Sequence, residues 1–115
     1  MKILVAEDDE LIGELLAEML ANMGHVVCAI ESTEAGTVAA ARQFQPELLI
    51  VDLKLSLGSG IDAVDLILQT RFIPHILVSG NIAKVRELRP DAIMLEKPYT
   101  QISLASAIRR ASELG

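Results

Sequence analysis

Four places in this 115-residue chain carry residues able to do chemistry: the acidic run Glu7-Asp8-Asp9, the isolated Asp52, Ser79, and Glu96-Lys97-Pro98. Each stands directly behind a short apolar run: Ile3 to Ala6, Leu48 to Val51, Ile76 to Val78, and Ala92 to Leu95. Carboxylates packed together repel one another and are costly unless a cation joins them. A hard divalent ion takes oxygen ligands, and Mg²⁺ suits a site with few protein ligands and several waters. Lys97 adds an ammonium and Ser79 a hydroxyl. Such a set points to phosphoryl chemistry, in which the metal and Lys97 offset charge on phosphoryl oxygens and one carboxylate is the nucleophile. Asp52 is the candidate nucleophile because it stands alone, while Glu7 and Asp8 can share the metal.

These residues meet only if the elements between them fold to a common edge. Ile3 to Ala6 reads as a buried strand, followed by a helix over 9–23 with Leu11, Ile12, Leu15, Leu16, Met19 and Leu20 at helical spacing. Gly24 is placed to end that helix in a left-handed conformation. Val26 to Ile30 predicts a second strand, and Ser32 a cap for a helix that runs to about Gln43 and stops before Pro46. Leu48 to Val51 is a wholly apolar, central third strand with Asp52 at its C-terminal edge. Gly58 and Gly60 mark a loop before a helix over 61–69. A fourth strand is expected over 73–78, a short helix over 82–88, a fifth strand over 92–95, and a last helix from Thr100 or Ser103 to near Leu114. This (βα)₅ alternation requires right-handed crossovers and a parallel sheet covered by helices on both faces. The five-strand count favours the flavodoxin-like order 2-1-3-4-5, although pattern alone does not fix the order. The active site of such a sheet lies beyond the carboxyl ends of the strands, where the strand order reverses.

Composition agrees. Hydrophobic residues make up 51% and aromatics 3%, which implies an aliphatic core in one α/β domain spanning 1–115. A net charge of −6 without a basic stripe argues against nucleic-acid binding. The single Cys28 lies in an apolar run and is expected as a buried structural thiol. No stretch of 18 apolar residues and no signal peptide is visible, so a soluble, cytoplasmic protein is expected, with no membrane partner. Asp9 and Glu10 are expected as favourable charges in a first helical turn. His25 and His75 are expected as surface or packing residues, Met94 as a core filler, and Arg86, Arg89, Arg109 and Arg110 as solvated helix faces.

Taken together, Ile3-Leu4-Val5-Ala6-Glu7-Asp8-Asp9, Pro46 to Asp52, the Gly60 loop, Ile76 to Gly80, and Lys97-Pro98 resemble the response-regulator receiver domain of two-component signalling over essentially the whole chain. The resemblance implies a set of roles. Asp8 binds Mg²⁺ directly and Glu7 through water; Asp52 is phosphoacceptor and metal ligand; the backbone carbonyl of Lys54 supplies another oxygen. Ser79 hydrogen-bonds the phosphoryl group with the Gly80 amide nearby, and Lys97 pairs with a phosphoryl oxygen beside a cis peptide to Pro98. It also implies a donor, a histidine kinase or histidine phosphotransfer protein, and an output protein whose binding changes on phosphorylation. The chain would be a signalling module that catalyses only its own loading and slow hydrolysis.

The chain departs from the family pattern at four places. Ser56 stands where proline is usual, which predicts a looser loop. Met94 replaces the usual switch aromatic. The fourth helix is about a turn short, and Pro90 limits it further. Lys54, beside the path of an attacking water, is expected to slow autodephosphorylation. The alternatives are a receiver-like interaction module regulated without phosphorylation, which the complete acidic set with Lys97 argues against, and a Mg²⁺-dependent phosphatase of the haloacid-dehalogenase type. The latter carries an Asp-x-Asp pair after its first strand, where this chain has Glu7-Asp8-Asp9. Dinucleotide binding fails for lack of a Gly-x-Gly-x-x-Gly motif.

Overall fold

The computed structural model describes residues 1–114. The chain alternates strictly, as β1 (Lys2–Ala6), α1 (Glu10–Asn22), β2 (Val26–Glu31), α2 (Glu34–Phe44), β3 (Leu48–Asp52), α3 (Gly60–Leu68), β4 (His75–Ser79), α4 (Ile82–Leu88), β5 (Ile93–Glu96) and α5 (Gln101–Ser112). The strands form one parallel sheet in the order β2-β1-β3-β4-β5, the flavodoxin-like order expected. The register sets Ala6 beside Val51, Asp52 beside Val78, and Ser79 beside Glu96. The ends of β1, β3, β4 and β5 therefore align at one edge.

Successive side chains of a strand point to opposite faces, and the core divides accordingly. Leu4, Ala6, Leu49, Val51 and Leu77 pack with residues of α2 and α3. Ile3, Val5, Leu48, Ile50, Ile76 and Val78 pack with residues of α1 and α5. Every residue of β3 is buried, so its continuous apolar run is what a central strand between two helical layers needs.

The helix ends show where local chemistry overrode pattern. Asp9 caps α1, its Oδ1 accepting from Ile12 N–H at 3.1 Å, and Gly24 beyond the helix has φ +90°. Thr33, not the expected Ser32, caps α2 through Gly36 N–H at 3.0 Å. Ser32 lies one residue too early for that bond. Gln45 closes α2 in the left-handed conformation at φ 48°. β4 starts at His75 rather than Ile73: Pro74 has no N–H to give the ladder, and only its carbonyl joins, accepting from Leu49 N–H at 3.0 Å. β5 begins one residue later than expected, at Ile93. Thr100 and Ser103 share the start of α5 as a reciprocal capping box. The short α4 over seven residues agrees with the sequence reading; Asn81 caps it, and Pro90 follows its C-cap residue Arg89.

Candidate functional site

The β1–β3 pairing carries Glu7 and Asp8 past Ala6 to the place where β3 ends in Asp52. One carboxylate oxygen from each of Glu7, Asp8 and Asp52 lies within 4.8 Å of the others. Glu7 and Asp52 are only 5% and 7% exposed, whereas Asp8 is exposed. An all-oxygen donor set of this kind fits a hard divalent cation such as Mg²⁺.

Lys97 comes from the far side of the sheet. Its backbone N–H donates to Ser79 O at 2.9 Å, continuing the β4–β5 ladder, and its peptide to Pro98 is cis. The ammonium then reaches Glu7 Oε1 at 3.0 Å and Asp52 Oδ2. The remaining oxygens are also occupied. Asp52 Oδ1 accepts from Lys54 N–H at 2.9 Å, and Glu7 Oε2 from Asp9 N–H at 3.1 Å. Burial is the largest influence on Glu7 and holds its carboxyl above the usual range; the Asp9 amide and Lys97 oppose it in part. Burial is also the largest single influence on Lys97 and by itself would lower its pKa. Hydrogen bonds to Asp52 and Glu7, with their negative charge, outweigh it, so the ammonium is held above its ordinary value.

Ser79 stands at the expected strand end, but its hydroxyl turns to the β4–α4 corner. It accepts from Asn81 N–H at 2.9 Å, donates to Asn81 O at 3.4 Å, and makes no hydrogen bond to Asp52. Asn81, which the sequence reading passed over, thereby links Ser79 to the cap of α4. Its position directly before an apolar helical run was the available signal. Tyr99 was also missed; it packs against the core layer that α1 and α5 cover, and burial, the largest influence, raises its hydroxyl pKa.

Behind Asp52, Gly60 donates its N–H to Leu53 O at 2.9 Å, and a Cβ at residue 60 would collide with the Asp52 carbonyl oxygen. Only glycine lets α3 start this close to β3. The loop between them is not left loose by Ser56. The Ser56 N–H donates to Ser32 O at 2.9 Å, a bond that proline could not make.

The remaining residues stand apart from the site. The Cys28 thiol is half-buried and donates weakly to Ile3 O at 3.4 Å, and burial, chiefly, raises its pKa. His25 Nδ1 lies 3.1 Å from the N-terminal amine. His75 bonds Ile73 O at 3.0 Å and meets Phe72 edge-on. Met94 is half-buried against the core. Arg89 departs from a purely solvated role, pairing with Asp65 on α3 at 2.5 Å. Among the described residues no helix is long and apolar enough to cross a membrane.

A doubly wound sheet whose central strand ends in an aspartate, with an acidic pair after the first strand and a lysine after the fifth, defines a receiver. The chain belongs to the response regulator receiver domain family, which matches residues 3–109. It is similar to the transcriptional regulatory protein PdtaR of Mycobacterium tuberculosis, at 32% identity over 96% of this chain and 56% of the relative. A protein-glutamate methylesterase/protein-glutamine glutaminase of Anaeromyxobacter dehalogenans is 31% identical over 90% of this chain and 32% of its own length. Among solved structures, the response regulator PhyR of Brucella abortus superposes with a TM-score of 0.91 at 27% identity, over 98% of this chain and 48% of PhyR. The chain thus spans about half the length of PdtaR and of PhyR.

Proposed function

We propose that residues 1–115 form a phosphoacceptor receiver, which takes a phosphoryl group from a histidine kinase or histidine phosphotransfer protein onto Asp52 in a Mg²⁺-dependent reaction. The observation that carries this reading is the buried Asp52 carboxylate, bonded by Lys97 on one oxygen and facing Glu7 and Asp8. Asp8, Asp52 and the backbone carbonyl of Lys54 would hold Mg²⁺ directly, and Glu7 through water. The ion, when bound, supplies positive charge to the phosphoryl oxygens.

In the transfer, a carboxylate oxygen of Asp52 bonds to phosphorus while the P–N bond of the phosphohistidine breaks, and the departing imidazole takes up a proton. Lys97, already charged and already beside Asp52, exchanges a carboxylate partner for a phosphoryl oxygen. The Ser79 hydroxyl rotates away from Asn81 to donate to the same group, with the Gly80 amide alongside. Because Asn81 caps α4, that rotation releases both bonds of the hydroxyl to the Asn81 backbone at the start of the short helix. The switch is a shift in population between two arrangements of this corner, which an output protein reads in the cytoplasm. Met94 in place of an aromatic makes the Ser79–Asn81 link the coupling element here.

The test is intact mass after incubation with acetyl phosphate and Mg²⁺. One phosphoryl adduct, absent from Asp52→Asn and after chelation, is expected. No adduct on the wild type with acetyl phosphate or a phosphorylated histidine donor would leave a receiver-like module regulated without phosphorylation.

A further inference from the structure

The loop that leaves Asp52 is held from outside by a residue with no part in the acidic site. Glu34 is the first residue of α2, where a carboxylate favourably faces the helix N-terminus. Its N–H donates to Leu57 O at 2.9 Å, and its Oε1 accepts from Ser59 N–H at 3.0 Å. Ser59 is the cap of α3, so Glu34 joins the N-terminal ends of α2 and α3. The carboxylate crosses directly over Gly58, where a Cβ would come within 2.5 Å of Glu34 Oε1. Together with the Ser56–Ser32 bond, these contacts fix the far half of the loop. Its near half carries Lys54, whose N–H holds Asp52 Oδ1 at 2.9 Å.

We infer that Glu34 is a positioning residue for the Asp52 site: by holding Ser59 and Leu57 it sets the path of the loop that presents Lys54 to the metal and to the phosphoacceptor. This rests on the receiver reading above, since it assigns the Lys54 carbonyl to the cation. Glu34 acts through its hydrogen bond to Ser59 and not through its charge, and two variants separate those effects. Glu34→Gln removes the charge and keeps an Oε1 acceptor. Glu34→Ala removes both.

The measurements are Mg²⁺ affinity by calorimetry and amide hydrogen exchange at Ser59 and Lys54, on proteins shown by circular dichroism to be folded. Glu34→Ala should weaken Mg²⁺ binding about tenfold, as loss of an outer-shell support does, and should speed exchange at both amides. Glu34→Gln should remain close to wild type in both. Unchanged affinity or unchanged exchange in Glu34→Ala overturns the inference, as does an equal loss in Glu34→Gln, which would make the effect one of charge. A wild type that binds no Mg²⁺ instead removes the Mg²⁺-dependent phosphoacceptor reading and the positioning role with it.

Discussion

Lys97 is bonded to Asp52 Oδ2 and in the same bridge to Glu7 Oε1 at 3.0 Å, so one ammonium serves two carboxylates that are almost fully buried. Removing it leaves buried negative charge uncompensated. Lys97→Met should therefore lower metal-free stability by about 2 kcal/mol, below the range for fully buried pairs because the lysine is partly exposed. Urea denaturation checks this, and Mg²⁺ should restore more stability to the variant than it adds to wild type. The pH sign follows from the raised pKa. The contribution of Lys97 is fully present below its ordinary value and is lost only as pH rises through the higher folded value. Titration of the lysine itself therefore adds no pH dependence to the difference between wild type and variant across the neutral range.

The Ser56–Ser32 bond makes a substitution toward the commoner family residue costly. Ser56→Pro removes the N–H that donates to Ser32 O at 2.9 Å. A net loss of roughly 0.5–1 kcal/mol is expected, the stiffer unfolded chain offsetting part of the lost bond. Thermal unfolding measures it, and an unchanged or raised midpoint would contradict the tether.

Lys54 is exposed two residues after Asp52, with its amide already committed to that carboxylate. Its side chain is free to stand in the path of a hydrolytic water. Phosphorylated Lys54→Asn should lose its phosphoryl group several-fold faster than wild type, by about the factor that a kilocalorie makes in a barrier. Equal lifetimes would remove Lys54 from the hydrolysis step.

Cys28 offers a check on the core that involves no metal. The thiolate is the reactive form, and burial raises the pKa of this thiol. Alkylation of the folded protein at neutral pH should be slow and should accelerate only as pH rises past the ordinary thiol range. Urea-unfolded protein should react at the rate of a free cysteine. Fast labelling of the folded chain would mean that the β2 strand opens from β1.

Much of this was legible in the sequence because it depends on short-range periodicity. Apolar runs bounded by Gly, Pro or acidic residues mark the strands, and the rule that sites lie at carboxyl ends then places Glu7, Asp8, Asp52 and Lys97 together. What was not legible depends on rotamers and on long-range backbone bonds. Nothing local to Ser79 says that its hydroxyl turns to Asn81. Nothing near Ser56 announces that its amide will meet Ser32, and Glu34 reads only as an ordinary first-turn acid until the fold brings Ser59 to it. The choice of Thr33 over Ser32 as cap is a one-residue matter of where the strand ends, the least determined feature of any pattern.

The central claim is that the phosphoryl group resides on Asp52, and trapping it there is the most direct test. Protein loaded with acetyl phosphate and Mg²⁺ is reduced with borohydride, which converts an aspartyl phosphate to homoserine, then digested and sequenced by mass spectrometry. Homoserine at position 52 alone, and none in a sample prepared with chelator, is the predicted result. Homoserine at Asp8 or another carboxylate, or phosphate recovered on a serine with residue 52 unmodified, would contradict it.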